Sequence, residues 1–202
     1  MNDDEIVDRK KEFNNKLNAI MHQVDRAAVI IDQMRGFARA NNDIIGEVDL
    51  CKSINQCFIF FREQFKTHNI DFQNKCDDNL PLIYLNDQKF EQIVVNLLSN
   101  ARFVVDKKES LSIPNYNKNI TICMNKISDN KLCLEISDNG IGMDEIQKEK
   151  CLEPFFTTKD VGEGTGLGLS IVYSLVKEIN ASLEIESSPN IGTKMRVIIP
   201  IK

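Results

Sequence analysis

A chain of 202 residues with 42% apolar and 27% charged side chains reads as an ordinary soluble globular protein, one large domain or one domain with a short appendage. The net charge of −5 argues against nucleic acid as a partner, since phosphate backbones reward a basic face. The chain has no apolar run of about 18 residues, and its Met-Asn-Asp-Asp-Glu start is neither a signal peptide nor a membrane span. The expected location is therefore the cytoplasm, with no membrane contact from this chain.

Residues 5–40 place Phe13, Leu17, Ile20, Met21, Val24, Ala27, Ala28, Ile31, Met34 and Phe37 at three- and four-residue steps. That spacing predicts one long amphipathic helix that needs a partner helix. The stretch from Ala40 to Gly46 breaks the pattern and marks a boundary between a segment 1–42 and a domain 45–202. Strand and helix then alternate: a short strand over 47–50, an amphipathic helix over 51–68, a period-two strand over 70–76 and a short strand over 81–85. A helix follows over 87–106 with Asp87 as its N-cap, then a polar loop over 110–119. Strands over 120–127 and 131–136 form a hairpin across Ser-Asp-Asn. A short helix from Asp144 to Lys150 opens on a capping box. A helix over 167–179 and a second hairpin of 181–186 with 193–200 close the chain. Hairpins mixed with helices predict an α+β sandwich, a sheet with helices on one face. The six cysteines lack C-x-x-C spacing and only two histidines are present, so a zinc site is not expected and the thiols read as small buried hydrophobes.

Three stretches carry chemistry. On the 87–106 helix, Asn96 and Asn100 fall on one face; they fit a solvated polar face, or amide oxygens for a hard cation such as Mg²⁺. Asp138-Asn-Gly-Ile-Gly-Met143 leaves a strand with a carboxylate followed by two glycines. It fits a plain turn, or a pocket where a flat ligand such as adenine offers an amine to Asp138 while approaching the backbone closely. Gly162-Glu-Gly-Thr-Gly-Leu-Gly168 runs into a helix, which suits a mobile lid and phosphate contact at the helix N-terminus. It is neither a Walker A loop nor a dinucleotide fingerprint. Between the last two, Glu153-Pro-Phe-Phe-Thr-Thr-Lys159 is an apolar knob with a basic end, and at least one of Phe155 and Phe156 is expected in the core.

Taken in order, Asn96-Leu-Leu-Ser-Asn100-Ala, Asp138-Asn-Gly-Ile-Gly-Met143, Glu153-Pro-Phe-Phe-Thr-Thr-Lys159 and Gly164-Thr-Gly-Leu-Gly-Leu-Ser-Ile171 resemble the N, G1, F and G2 boxes of sensor histidine kinases. The stretch from Ile191 to Pro200 resembles the closing hairpin of their catalytic domain, so the resemblance spans roughly 45–200. It implies the two-layer α/β Bergerat sandwich, with ATP bound beneath a flexible lid and both glycine clusters in one site. It further implies that Asp138 binds the adenine amine, with Gly140 and Gly142 shaping that pocket and Thr193 near it. Asn100 would ligate Mg²⁺ and Asn96 support the metal or phosphates. Lys159, Gly164, Thr165, Gly166, Leu167 and Gly168 would belong to the lid. Arg102 is the candidate phosphate contact; many family members carry a basic residue one place later, where this chain has Phe103.

Related ATPases and serine kinases of this fold resemble one another in a glutamate at the position of Asn96, where it acts as base. An amide cannot take that proton, whereas a neutral imidazole acceptor is nucleophilic near pH 7 unaided. The reading is therefore a histidine kinase that works by positioning, passing phosphate to a histidine and then to a response regulator receiver domain. His22, followed by Gln-Val-Asp-Arg, lacks the family's acceptor pattern and stands too near Asn96 for a second long helix to intervene. Residues 17–39 resemble instead the second helix of the dimerisation hairpin. The chain is expected to be a portion of a larger kinase that dimerises through this segment, binds Mg-ATP and does not phosphorylate itself. A non-catalytic nucleotide-binding or dimerisation module, and a slow ATPase of the same fold, are the alternatives.

Overall fold

The computed structural model describes residues 44–77, 79–159 and 164–201, with Phe13 and Lys16, which are helical. Apart from those two positions, the helix expected over 5–40 lies outside the described residues, as does most of the break before Gly46. One unit takes in Asn42–Phe156 and Gly166–Lys202; Thr157–Thr165 belongs to a second unit and is described by itself. Among the described residues no helix is long and apolar enough to cross a membrane.

The larger unit runs β1 (Gly46–Val48), α1 (Leu50–Thr67), β2 (Asp71–Cys76), β3 (Ile83–Leu85), α2 (Asp87–Glu109), β4 (Asn119–Ser128), β5 (Lys131–Asp138), α3 (Glu145–Lys150), α4 (Gly168–Glu178), β6 (Ser182–Ser188) and β7 (Gly192–Pro200). Five strands make one sheet in the order β2-β4-β5-β7-β6, while β1 and β3 pair separately. The β2–β4 pair is parallel and the other neighbours in the sheet are antiparallel. Period-two alternation decides which face is covered. Ile120, Ile122 and Met124 of β4, Leu132, Leu134 and Ile136 of β5, and Met195, Val197 and Ile199 of β7 are buried. Their neighbours along the chain Glu135, Lys194 and Arg196 stay partly exposed, and Arg196 Nε donates to Glu135 Oε2 at 2.7 Å on that open face. The expected α+β sandwich, helices on one face of a mostly antiparallel sheet, is the fold found.

The stripe on α2 is also as expected: Phe90, Ile93, Val94, Leu97, Leu98 and Ala101 are buried. Its cap is not. Asn86, not Asp87, is the N-cap, its side chain accepting from Lys89 N at 3.0 Å. Asp87 is the first helical residue and accepts from Ser53 Oγ at 2.6 Å, tying α2 to α1. Asn86→Ala is expected to cost about 1 kcal/mol, as side-chain caps do, read as a lower urea midpoint with an unchanged slope. At the start, Leu50 belongs to α1 and not to a strand, because Asp49 accepts from Lys52 N at 3.1 Å and begins the helix there. The capping box of α3 is present as expected, with Asp144 and Gln147 as its two members.

Two expectations about burial need correction. Cys57, Cys133 and Cys151 are buried, but Cys51, Cys76 and Cys123 are only half-buried. Burial nevertheless pushes the Cys57 and Cys76 thiols up to about 12, which leaves them poor nucleophiles. Phe155 is 75% exposed and Phe156 half-buried, because Phe155 sits at φ 67° and turns its ring outward.

Candidate functional site

Asp138 is the last residue of β5, a central strand, opposite Ile120 of β4 and Thr193 of β7. Its Oδ1 accepts from Gly140 N at 2.8 Å. Burial raises its carboxyl to about 6, against the opposing pull of the Gly140 and Thr193 backbone N–H groups and the Lys108 ammonium. At pH 7 it is a desolvated carboxylate at the mouth of the sheet, suited to accept from an N–H of a planar ligand.

Glycine makes the surrounding walls possible. A Cβ on Gly140 would come within 2.6 Å of Val104 Cγ2 on α2. Gly142, at φ 66°, faces the Ser188 carbonyl, and Gly192, at φ 139°, faces the Asp138 carbonyl; neither approach leaves room for a side chain. The turn after β5 and the turn before β7 thus interleave, and Asn190 N donates to Ile141 O at 2.6 Å. Ser187 Oγ accepts from Met143 N at 2.8 Å and lies 2.8 Å from Thr193 Oγ1. Asn139 braces the outside, its Oδ1 accepting from Asn119 N at 2.9 Å and its Nδ2 donating to Asn117 O at 2.7 Å.

On α2, Asn96 and Asn100 point at the start of α4. A Cβ on Gly168 would lie 3.7 Å from Asn96 Oδ1, 3.5 Å from Asn100 Nδ2 and 3.7 Å from Asn100 Oδ1. Asn96 is buried and its Nδ2 donates to Gln92 O at 2.9 Å, so a solvated polar face does not describe it. Leu167 caps α4 without a side-chain hydrogen bond, which leaves the positive end of that helix for an anion. Among the described residues no group of three His, Cys, Asp or Glu could hold a metal. Paired amide oxygens beside an anion-accepting helix end do fit Mg²⁺, which takes few protein ligands and bridges substrate phosphates.

Other expected members are placed differently. Arg102 is not brought to the asparagine pair: its Nη1 donates to Gln64 Oε1 of α1 at 2.7 Å, and its buried Nε has no hydrogen-bond partner among the described residues. The reason is rotation, since two residues turn a helix by roughly 200°. Lys107, seven residues past Asn100, returns to within roughly 20° of it and stands 5.8 Å over the Phe103 ring. Gly166, at φ 68°, accepts through its carbonyl from Phe155 N at 3.0 Å. Lys159, Gly164 and Thr165 lie in the second unit, where Lys159 N donates to Thr157 Oγ1 at 3.1 Å.

Lys108 escapes a sequence reading although it is buried. Its Nζ donates to Asn139 O and to Asn190 O, each at 2.8 Å. The signal was its spacing, because Ala101, Val105 and Lys108 share one buried stripe.

Residues 86–202 match the family described as Histidine kinase-, DNA gyrase B-, and HSP90-like ATPase. The chain is 25% identical over 185 residues to the signal transduction histidine-protein kinase AtoS of Escherichia coli (strain K12), covering 92% of this chain and 29% of that protein. It is equally similar to sporulation kinase E of Bacillus subtilis (strain 168), of which it covers 24%. It thus spans 24% to 29% of those relatives' length. The nucleotide-free catalytic domain of histidine kinase ThkA superposes with a TM-score of 0.66 at 27% identity, over 78% of this chain and 96% of that one. ThkA in complex with the response regulator protein TrrA shares the fold, at 21% identity and a TM-score of 0.71, over 94% of this chain and 52% of that one.

Proposed function

The chain belongs to the Histidine kinase-, DNA gyrase B-, and HSP90-like ATPase family, and from that premise we propose that it is the ATP-binding catalytic portion of a sensor histidine kinase. It moves the γ-phosphoryl group of ATP to a histidine on a dimerisation helix, for relay to an aspartate on a response regulator receiver domain. The parent protein dimerises through the segment that includes residues 5–40. The observation that carries the reading is the desolvated Asp138 carboxylate beside two close-packed glycine turns, within the unit that also sets Asn96 and Asn100 against the start of α4.

In this reading Asp138 accepts from the adenine amine, with Gly140 and Gly142 allowing the close-packed turns that shape the site and Thr193 near it. Gly166, Leu167 and Gly168 present the amino end of α4 to the phosphates, with Lys159, Gly164 and Thr165 in the lid. Lys107 is better directed than Arg102 to supply a side-chain cation. Asn100 would hold Mg²⁺ with Asn96 in support, and the ion would offset phosphate charge. A lone pair of the acceptor imidazole forms the new P–N bond as the bond from the γ-phosphorus to the bridging oxygen breaks, and ADP leaves with that electron pair. Asn96, an amide tied to Gln92, takes no proton from water, which favours transfer over hydrolysis.

Titration with a non-hydrolysable ATP analogue, with and without Mg²⁺, should show magnesium-dependent binding. Asn100→Ala is expected to weaken it about tenfold and to remove most of the magnesium dependence. With radiolabelled ATP, label should pass to a supplied acceptor helix and not accumulate on the chain alone. Binding without transfer would make the chain a nucleotide-binding module. Phosphate release with no acceptor present would make it an ATPase.

A further inference from the structure

Lys108 is 7% exposed, and nothing in the transfer chemistry uses its ammonium. It lies 4.9 Å over the Tyr116 ring and donates to Asn139 O and Asn190 O at 2.8 Å each. Those carbonyls belong to different turns. Asn139 sits between Asp138 and Gly140, in the turn after β5; Asn190 sits between Ser188 and Gly192, in the turn before β7. These turns also carry the tight glycine approaches, Gly142 to Ser188 and Gly192 to Asp138. A buried ammonium is retained only where its donors are satisfied, and here the two carbonyl acceptors belong to the two turns that meet beside Asp138.

We propose that Lys108 is a positioning residue for adenine recognition: it clamps the two turns into one pocket and supplies the positive charge that Asp138 faces from α2. The proposal rests on the nucleotide reading above and adds to it the element that shapes the base pocket. Removing the charge would let burial act on Asp138 with less opposition, so its carboxyl would hold a proton to higher pH. The other groups facing Asp138 do not replace it. Tyr116, on the loop before β4, is itself raised by burial and by the Asp138 charge, so it stays neutral. β7 contributes Thr193 and the turn contributes Gly140, both through uncharged N–H groups. Lys118 is engaged with Asp106 and Glu109.

The test is the pH profile of ATP-analogue binding for wild type, Lys108→Met, Lys108→Gln and Lys108→Arg, each checked for folding by circular dichroism. The analogue's own phosphate ionisation is common to all four and cancels in the comparison. Wild-type affinity should fall below about pH 6, where Asp138 becomes protonated. Lys108→Met should bind about tenfold or more weakly at pH 7.5, the scale of a lost charge-assisted hydrogen bond, with its midpoint moved to higher pH. Lys108→Arg should restore the midpoint. If Lys108→Met does not fold, Lys108→Gln, which keeps a donor without the charge, carries the same prediction. A folded Met or Gln variant whose midpoint does not move, or whose affinity falls equally at every pH, would overturn the proposal. Absence of binding by wild type would instead overturn the nucleotide reading.

Discussion

Asp138→Asn is expected to melt higher than the wild type without nucleotide and to lose most of its stabilisation by ATP. The first half follows from the sign of linkage. The Asp138 carboxyl rises from 3.8 to about 6 on folding, so the native state holds a proton that the unfolded chain releases. Its favourable contribution is fully present below about pH 3.8 and is lost as pH rises through about 6. At pH 7.5 the wild type therefore carries a buried charge costing up to about 3 kcal/mol. Asparagine keeps an acceptor for Gly140 N without that charge. A gain of about 1–3 kcal/mol is expected, several degrees for a unit of this size, shrinking to a small remainder by about pH 4, where the folded wild-type carboxyl is protonated and the unfolded one about half so. The second half follows from the ligand, which loses a hydrogen bond to a charged acceptor, roughly tenfold to hundredfold in affinity. Calorimetric melting at pH 7.5 and pH 4, with and without the ATP analogue, reads both. A variant that melts with the wild type and keeps its nucleotide-induced shift would remove Asp138 from the site.

Gly142→Ala is the second large effect, and it acts in the opposite direction on stability. An L-residue at φ 66° already costs about 1–2 kcal/mol. The added Cβ also runs into the Ser188 carbonyl oxygen, which cannot swing aside easily because it accepts from Ile191 N at 3.1 Å within its own turn. Together these are expected to cost about 3 kcal/mol or more and to abolish nucleotide binding, because relief requires the two turns to part. Gly46→Ala is the matched control. Among the described residues nothing lies within 4 Å of its added Cβ, so its change should stay within about 0.5–1 kcal/mol. Urea unfolding of the two variants separates collision from a general effect of losing glycine. Equal, small losses at both positions would mean that the turns are not interlocked as described.

The parts of this fold that were legible in sequence are those written in local periods. The β4–β5 and β6–β7 hairpins, the α2 stripe and the α3 capping box each depend on neighbours a few residues away. The Asp138 pocket was legible as residue types, because a strand-end carboxylate and spaced glycines suit a flat ligand wherever the strand lies. Arg102 is the converse case. Its chemistry suited phosphate, but helical rotation, which the spacing alone supplies, turns it toward Gln64. Lys108 was hidden by company: in Asp106-Lys-Lys-Glu109 it looks solvated, and the acceptor that shows otherwise, Asn190, is 82 residues away. Asn86 and Asp87 were equally good caps by type, and the Ser53 hydroxyl on α1, which takes up Asp87, decided between them.

The parallel β2–β4 pair has a consequence for how the molecule assembles. Asp71 and Asn119, bonded side chain to side chain across that pair, are 48 residues apart, whereas the β4–β5 and β6–β7 hairpins close across short turns. Loop-closure entropy must be met before such a distant pair returns any energy. Through Phe72, which stacks on Phe58 with ring centroids 4.3 Å apart, the edge strand is also fastened to α1. The candidate site meets the same demand, because Asp138 of β5 faces Thr193 of β7 across a stretch of chain longer than the one between Asp71 and Asn119, so it too forms only once the two hairpins have docked.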